Sequence, residues 1–121
     1  MSFKVLLVLS AFVAIISANV ADNGAHSIKS CDTANANTLV YQTSVYEDPK
    51  FLTKIRRTVT WPALSINNAE ITCIMAIDLD THGNGGYASI TSGGIHEKEV
   101  EIKIISQLGK GLNYMISIYT A

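Results

Sequence analysis

The side chains most suggestive of chemistry stand close together in the middle of the chain. Asp78, Asp80, His82 and Gly83 follow the opening D-x-D-x-x-G spacing of a calcium-binding loop, in which carboxylate oxygens hold the ion. Such a loop also needs an oxygen ligand at its fifth position and a bidentate glutamate at its twelfth, where this chain has His82 and Ser89. The pattern therefore favours an acidic, solvated turn, and a weak calcium site of another kind at a strand end stays an alternative.

Other polar residues lack the partners that catalysis or metal binding requires. Glu97, Glu99 and Glu101 share one predicted strand face with like charges and no apolar pocket, which disfavours general acid–base chemistry. The histidines occupy separate segments without a second ligand at metal-binding spacing; they are His26, His82 and His96. No G-x-S-x-G nucleophile motif occurs in the chain. We therefore predict no catalytic residue, no metal ligand and no cofactor.

Glycines cluster in three short segments. The first cluster is not followed by Gly-Lys-Ser/Thr or by a predicted helix, so it does not indicate a phosphate-binding loop. Residues that tolerate positive φ suit tight reversals between strands. The sequence therefore predicts structural turns at Gly83, Asn84, Gly85, Gly86, Gly93, Gly94, Gly109 and Gly111.

Length and charge narrow the class of protein. The 121 residues suit one small domain, and nine Lys or Arg nearly balance ten Asp or Glu. Lys54, Arg56 and Arg57 form the one basic cluster, and no stacking aromatic residues are interleaved with them. A chain with this charge balance is not expected to bind nucleic acid directly.

The first residues are organised like a secretory signal peptide. Lys4 precedes the apolar run 5–16, and the small residues Ser17 and Ala18 follow it. A membrane anchor is the alternative, but a spanning helix needs roughly 20 apolar residues. We expect cleavage after Ala18, with Ala21 as the second choice. Removal of Lys4 then changes the formal net charge from −1 to −2, and the mature chain has no membrane span.

The chain has two cysteines, Cys31 and Cys73, and both follow the predicted leader. Thiols tend to pair in the oxidising compartments that exported proteins enter. Closing a loop of about 40 residues would stabilise the fold by about 4 kcal/mol in the chain-entropy estimate. An internal disulfide is therefore predicted. The alternative is a buried thiol at Cys73, with Cys31 free or paired between chains.

Six segments show the two-residue alternation of β-strands. They cover residues 38–46, 53–61, 70–79, 87–91, 97–104 and 112–119. The segment 70–79 is apolar on both faces and is expected to be a central strand, whereas in 97–104 the side chains of Lys98, Val100, Ile102 and Ile104 face inward. Short strands without a helix indicate an all-β fold, a small antiparallel sandwich or barrel of about six to seven strands.

The predicted domain organisation has three parts. Residues 1–18 form the signal peptide, residues 19–37 form a flexible lead-in and residues 38–121 form a single β domain. The lead-in is rich in Ala, Asn, Asp and Ser and shows neither helical nor strand periodicity, although a bond to Cys31 would pin it.

Residues 71–94, ITCIMAIDLDTHGNGGYASITSGG, resemble the insect family named after multiprotein bridging factor two (MBF2), whose members are also described as salivary secreted peptides. The most specific shared features are Asp78, GNGGYA at 83–88, SGG at 92–94, the pair Ser106-Gln107 and the pair at 118–119. The chain departs from the family at 95–98, where members usually carry a glycine and an aromatic residue.

The resemblance implies a transcriptional co-activator that bridges a DNA-bound regulator and the basal machinery through protein contacts. The leader favours another role, because it directs the chain out of the cell. We therefore expect a secreted, extracellular, non-enzymatic binding protein with an unknown protein partner. The co-activator role is the first alternative, and a secreted defence factor or small-ligand carrier is the second.

Overall fold

The computed structural model describes residues 26–32 and 38–121. The predicted signal peptide, residues 19–25 and residues 33–37 lie outside these ranges. The described chain consists of strands and loops without a helix; the strands are β1 (Ile28–Cys31), β2 (Thr38–Glu47), β3 (Arg56–Trp61), β4 (Ile71–Asp78), β5 (Tyr87–Gly93), β6 (Val100–Ile105) and β7 (Leu112–Thr120). These ranges accordingly contain no helix with the length and apolarity that a membrane crossing requires.

The strands form two antiparallel sheets. One sheet has the order β1-β4-β7-β2 and the other has the order β3-β6-β5. Side chains from both sheets meet in one core, so the two layers pack face to face as in a β-sandwich. The predicted all-β, antiparallel fold class is confirmed. β4 lies between β1 and β7, as expected for the segment that is apolar on both faces.

The core follows from the two-residue period of the strands. Alternate side chains point to opposite faces of a sheet, so one face of β6 and of β7 supplies apolar residues to the interior, while Ile105, Met115 and Tyr119 lie partly exposed on the other face. The buried core residues are Val45, Ile55, Val59, Ile71, Ile74, Ala76, Ala88, Val100, Ile102, Ile104, Leu112, Tyr114, Ile116 and Ile118. Glu101 and Lys103 of β6 point outward and alternate with buried residues. Glu101 is partly exposed and Lys103 is exposed.

Several elements differ from the sequence prediction, among them β3, which begins at Arg56 rather than at residue 53. Residues 28–31, expected to lie in a lead-in without regular structure, form β1, because β4 supplies a pairing partner for each of the four residues. The disulfide between Cys31 and Cys73 joins directly opposed positions of these two strands, which confirms the predicted internal bond. The sixth strand begins at Val100 rather than at residue 97, because Glu97 donates its N–H to the Gly94 carbonyl in a turn. Lys98 consequently lies exposed in that turn instead of facing inward.

The loops of the sandwich fall at its two ends. Loops 48–55, 79–86 and 106–111 connect strands at the end that we call the glycine end. Loops 62–70 and 94–99, together with the Cys31–Cys73 bond, form the opposite end, which we call the disulfide end. The acidic turn at 78–83 and most of the predicted turn glycines therefore lie at the glycine end.

Candidate functional site

The two aspartates of the calcium-like spacing fold the loop 79–86. The Oδ1 atom of Asp78 accepts the N–H of Asp80 at 3.0 Å. The Oδ2 atom of Asp80 accepts the N–H groups of Asn84 at 2.8 Å and of His82 at 3.0 Å. The bond from Asn84, followed by the bond from His82, lowers the pKa of the Asp80 carboxyl. These carboxylates thus take up backbone donors of their own loop.

The other candidate groups lie apart from one another. His26 and His82 lie at the glycine end, whereas His96 lies at the disulfide end, 3.3 Å from Asp32 and 3.6 Å from Glu70. Among residues 26–32 and 38–121, no group of three or more His, Cys, Asp or Glu side chains could hold a metal ion.

Neither the members of the basic cluster nor the three glutamates act as one group, because the residues of each set lie in different surroundings. Arg57 forms an ion pair with Glu47 at the end of β2, while Lys54 and Arg56 stay exposed. Glu101 accepts the hydroxyl of Thr91 at 2.6 Å on the outer face of the three-stranded sheet, and Glu97 and Glu99 lie in the loop before β6. The fold therefore brings neither set together around a common ligand position.

Glycine serves two different purposes among the predicted turn residues. Positive φ occurs at Gly83, Gly93, Gly94 and Gly109. At Gly85, Gly86 and Gly111 the φ angle does not require glycine, but neighbouring atoms lie too close to leave room for a Cβ. A Cβ at Gly85 would overlap the Asp78 carboxylate, and one at Gly86 would lie 2.6 Å from the Ile105 carbonyl oxygen. The turn argument from positive φ therefore explains only part of the glycine pattern.

The loop 106–111 ties the other two loops of the glycine end together. The Nε2 group of Gln107 donates to the carbonyl oxygens of Gly85 at 2.8 Å and Gly83 at 3.1 Å. The hydroxyl of the neighbouring Ser106 accepts the N–H of Ile55 at 2.7 Å, and Ser106 N–H donates to the Ile55 carbonyl at 2.8 Å. One dipeptide thus holds all three loops in a fixed arrangement.

A buried tyrosine anchors the start of β1 at the same end. The Tyr114 hydroxyl donates to the His26 carbonyl oxygen at 2.5 Å, and the His26 ring donates from Nδ1 to the Gly86 carbonyl at 2.6 Å. Ser27 adds a third link, because its hydroxyl oxygen accepts the N–H of Asp78 at 2.8 Å. Burial, followed by the nearby Asp78 charge, raises the pKa of the Tyr114 hydroxyl.

Sequence reasoning missed the His26–Tyr114 anchor. A tyrosine at an inward position of β7 was visible in the alternation, and a buried hydroxyl needs a hydrogen-bond partner. The partner lies 88 residues away in the chain, so the pattern could not identify it.

An open cleft of about 490 Å³ lies between the ends of β2 and β7 and the loops of the glycine end. The lining residues with polar or charged side chains are Tyr46, Glu47, Asp80, Asn84, Lys110 and Asn113. Among the described residues, no serine, cysteine or histidine lines it. The cleft therefore offers hydrogen-bonding amides, one aromatic ring and charges of both signs, which suit recognition of a polar surface or peptide.

Comparison with known proteins places this geometry in context. Residues 32–120 match the family described as "Transcription activator MBF2". A stretch of 50 residues is 52% identical to a "Probable salivary secreted peptide" of Bombus ignitus, and it covers 41% of this chain and 37% of that protein. The match thus spans well under two thirds of the relative's length. No solved structure matches the chain.

Proposed function

Because this chain belongs to the MBF2 family, we propose that it is a secreted, non-enzymatic protein that binds a protein partner through its glycine end. The family match confirms the resemblance in the sequence. The observation that carries the proposal is the bonding of Ser106 and Gln107, which makes one platform of three loops from separate parts of the chain.

The platform supports binding because its loops are held by a rigid sandwich. Loops on such scaffolds carry binding residues in many protein classes, since they can vary while the sheets keep their geometry. Several residues that carry the family resemblance build this end, among them Asp78, Gly85 and Gln107. Their bonds run to backbone groups, so they shape the loops and leave the cleft residues to contact a partner.

The non-enzymatic part of the proposal is supported by how the polar groups are used. Asp78, Asp80 and the Tyr114 hydroxyl are engaged with backbone donors and acceptors. A nucleophile would need a base within hydrogen-bond reach and an open position for the reacting atom. The internal bonds of these side chains favour a structural role for them.

Secretion is supported by two independent features. The disulfide between Cys31 and Cys73 suits an oxidising compartment, and the Bombus ignitus relative is named a secreted peptide. Mass spectrometry of the protein from secretions is the test. We expect a chain that begins at residue 19 or 22 and that lacks two hydrogens relative to the dithiol form. A protein found only inside cells, with residues 1–18 retained, would contradict export.

The binding proposal is tested with variants of the cleft. We expect a chemically cross-linked complex between the mature protein and a protein of the same secretion, and its loss in the Lys110→Ala/Asn113→Ala variant. Lys98→Ala, in an exposed loop of the disulfide end, is the matched control and should keep the complex. Equal loss in both variants would remove the assignment of the partner to the glycine end.

A second candidate function comes from the description of the family as a transcription activator. In that role the chain would contact a basal transcription factor through protein surfaces without binding DNA directly, as its near-neutral charge favours. Recovery of such a factor with the chain from nuclear extract would support this candidate. An empty pull-down, with the protein folded, would exclude it.

A further inference from the structure

Two loops of the glycine end carry large apolar side chains into solvent. Phe51 is 88% exposed, Leu52 is 66% exposed and Leu108 is 56% exposed. Thr53 N–H donates to the Lys50 carbonyl at 3.2 Å, which puts Phe51 and Leu52 at the centre of a tight turn. We call Phe51, Leu52 and Leu108 the apolar tip.

The two loops that form the apolar tip are joined. Gly109 N–H donates to the Thr53 carbonyl oxygen at 2.9 Å, and a Cβ at Gly109 would lie 4.0 Å from the backbone nitrogen of Leu52. Leu108 therefore stands beside the turn of Phe51 and Leu52. The three exposed residues therefore lie on adjacent loops that a backbone bond holds together.

The backbone at Leu52 is unusual for a leucine. Its φ is 51°, in the left-handed region that bulky side chains rarely adopt. Glycine is the usual residue at the equivalent position of a turn with positive φ. A leucine that is both exposed and in this conformation contributes nothing to the core. An apolar contact outside the chain would give this side chain a function.

Cations surround the apolar tip. Lys50 and Lys54 flank Phe51 and Leu52 in one loop, Lys110 follows Leu108 in the other, and Asp48 is the one acidic residue in the two loops. The whole chain, in contrast, has a formal net charge of −1. The positive charge is therefore concentrated where the exposed apolar side chains lie.

The disulfide end also has exposed apolar residues, but the charged residues near them in the sequence are mostly acidic. Leu64 and Ile66 are 101% and 87% exposed in loop 62–70. Loops 62–70 and 94–99 contain Glu70, Glu97 and Glu99 against a single lysine. Apolar exposure is thus common to both ends. The three loops of the glycine end contain three lysines against Asp48 and Asp80, so only this end combines exposed apolar residues with more lysines than acidic residues.

We propose that the apolar tip inserts into the headgroup region of an anionic lipid bilayer, with Lys50, Lys54 and Lys110 contacting the lipid charges. Apolar side chains gain from burial at the boundary of headgroups and acyl chains, and nearby lysines are attracted by the negative surface. Each lysine contributes about fivefold in affinity at low salt. This site goes beyond the proposed protein partner, because Phe51, Leu52, Leu108, Lys50 and Lys54 lie outside the lining of the cleft, and Lys110 alone belongs to both.

The test is co-sedimentation of the mature protein with vesicles. We expect binding to vesicles of phosphatidylglycerol and phosphatidylcholine in equal parts, about tenfold or more tighter than to pure phosphatidylcholine. Raising NaCl from about 0.1 M to about 0.5 M should weaken the binding, because salt screens the lysines. The protein remaining in the supernatant with both vesicle types would overturn the proposal.

Variants distinguish specific insertion of the apolar tip from non-specific adsorption to vesicles. Phe51→Ser/Leu108→Ser should weaken vesicle binding about tenfold or more, and Lys50→Glu/Lys110→Glu should abolish its preference for the anionic lipid. Leu52→Gly removes an apolar group while it suits the positive φ, so it should weaken binding in a chain that is at least as stable. Leu64→Ser/Ile66→Ser is the matched control and should bind like the parent. An equal loss in that control would contradict insertion by the tip.

Discussion

The glycine end and the disulfide end close the same sandwich by different means. At the disulfide end, a covalent bond joins β1 to β4, and backbone groups link the sheets: Ile71 N–H donates to the Glu97 carbonyl at 2.8 Å, and His96 N–H donates to the Ile71 carbonyl at 2.8 Å. At the glycine end, backbone bonds such as that from Gly109 N–H to the Thr53 carbonyl are supplemented by side-chain bonds, above all those of Gln107 and Tyr114.

The comparison teaches which substitutions each end tolerates. Backbone bonds persist when a side chain changes, so the loops of the disulfide end depend on few side chains besides the cysteines, among them Asn67, whose amide donates to the Lys98 carbonyl at 3.0 Å. Side-chain bonds to a carbonyl disappear with the side chain, and a close contact such as that of Gly85 excludes any larger residue. Many single substitutions at the glycine end should therefore each lower the free energy of unfolding by a small amount. At the disulfide end, loss of the disulfide should lower it by a large amount.

The largest effect is expected from the disulfide. The variant Cys31→Ser/Cys73→Ser should lose about 4 kcal/mol of unfolding free energy, because its unfolded chain is no longer constrained by the closed loop. Denaturant unfolding monitored by circular dichroism measures the loss. A reducing agent should destabilise the parent and leave the variant unchanged. Equal free energies of unfolding for parent and variant would mean that the disulfide does not stabilise the fold.

A smaller effect is expected from Gly85→Ala at the opposite end. The new methyl group would overlap the Asp78 carboxylate, and the resulting shift of the loop should cost about 1 to 3 kcal/mol. Ser89→Ala, on the exposed position of nearby β5, is the matched control and should change the midpoint of unfolding little. Thermal unfolding compares the two variants, and equal midpoints would show that the loop adapts without cost.

Tyr114→Phe should cost about 1 kcal/mol at neutral pH, because the His26 carbonyl loses its donor. Its pH dependence sharpens the test. The pKa of Tyr114 is raised in the folded chain, so its contribution is full below the ordinary value of 10.0 and is lost as the pH rises through that value toward the folded pKa. The parent should therefore lose more stability than Tyr114→Phe above pH 10.0.

Alkaline denaturation, followed by circular dichroism, measures this difference. Tyr119→Phe, on the opposite face of β7, is the control and should retain the alkaline sensitivity of the parent. Parallel pH curves for the parent and Tyr114→Phe would contradict the anchoring role of the hydroxyl.

The smallest effect is expected from Asp80→Asn, because the carboxylate is exposed and water competes for its backbone donors. The pKa of Asp80 is lowered by those donors, so its contribution is present above the ordinary value of 3.8 and is lost as the pH falls through the folded pKa. Acid unfolding should therefore be shallower in Asp80→Asn. Glu99→Gln, an exposed residue of the other end, is the control, and identical acid profiles for both variants would remove this role of Asp80.

Much of the fold could be predicted from local pattern. The alternation in β2 and β7 and the apolar run of β4 indicated strands, because side chains of one strand face must be buried together. β1 escaped detection, since four residues with Ile28 as the one large apolar side chain carry too little periodicity. Its stability comes from pairing with β4 and from the disulfide.

The candidate site was less predictable, because its bonds connect distant segments. The glycines around Asp78 were visible as turn residues, but the contact of Gly85 with the Asp78 carboxylate depends on how the loop folds back. Gln107 stood in no chemical motif, and its role appears only when loop 106–111 lies against loop 79–86.

The amino-acid sequence by itself determined the class of fold, the faces of the strands and the cysteines available for a bond, because periodicity and composition act locally. Only the tertiary structure decided that Phe51, Leu52 and Leu108 share one tip and that Tyr114 reaches His26. The physical reason is that a two-residue period specifies which side of a strand is buried but not which strand becomes its neighbour. Pairing between strands therefore sets which loops meet at each end.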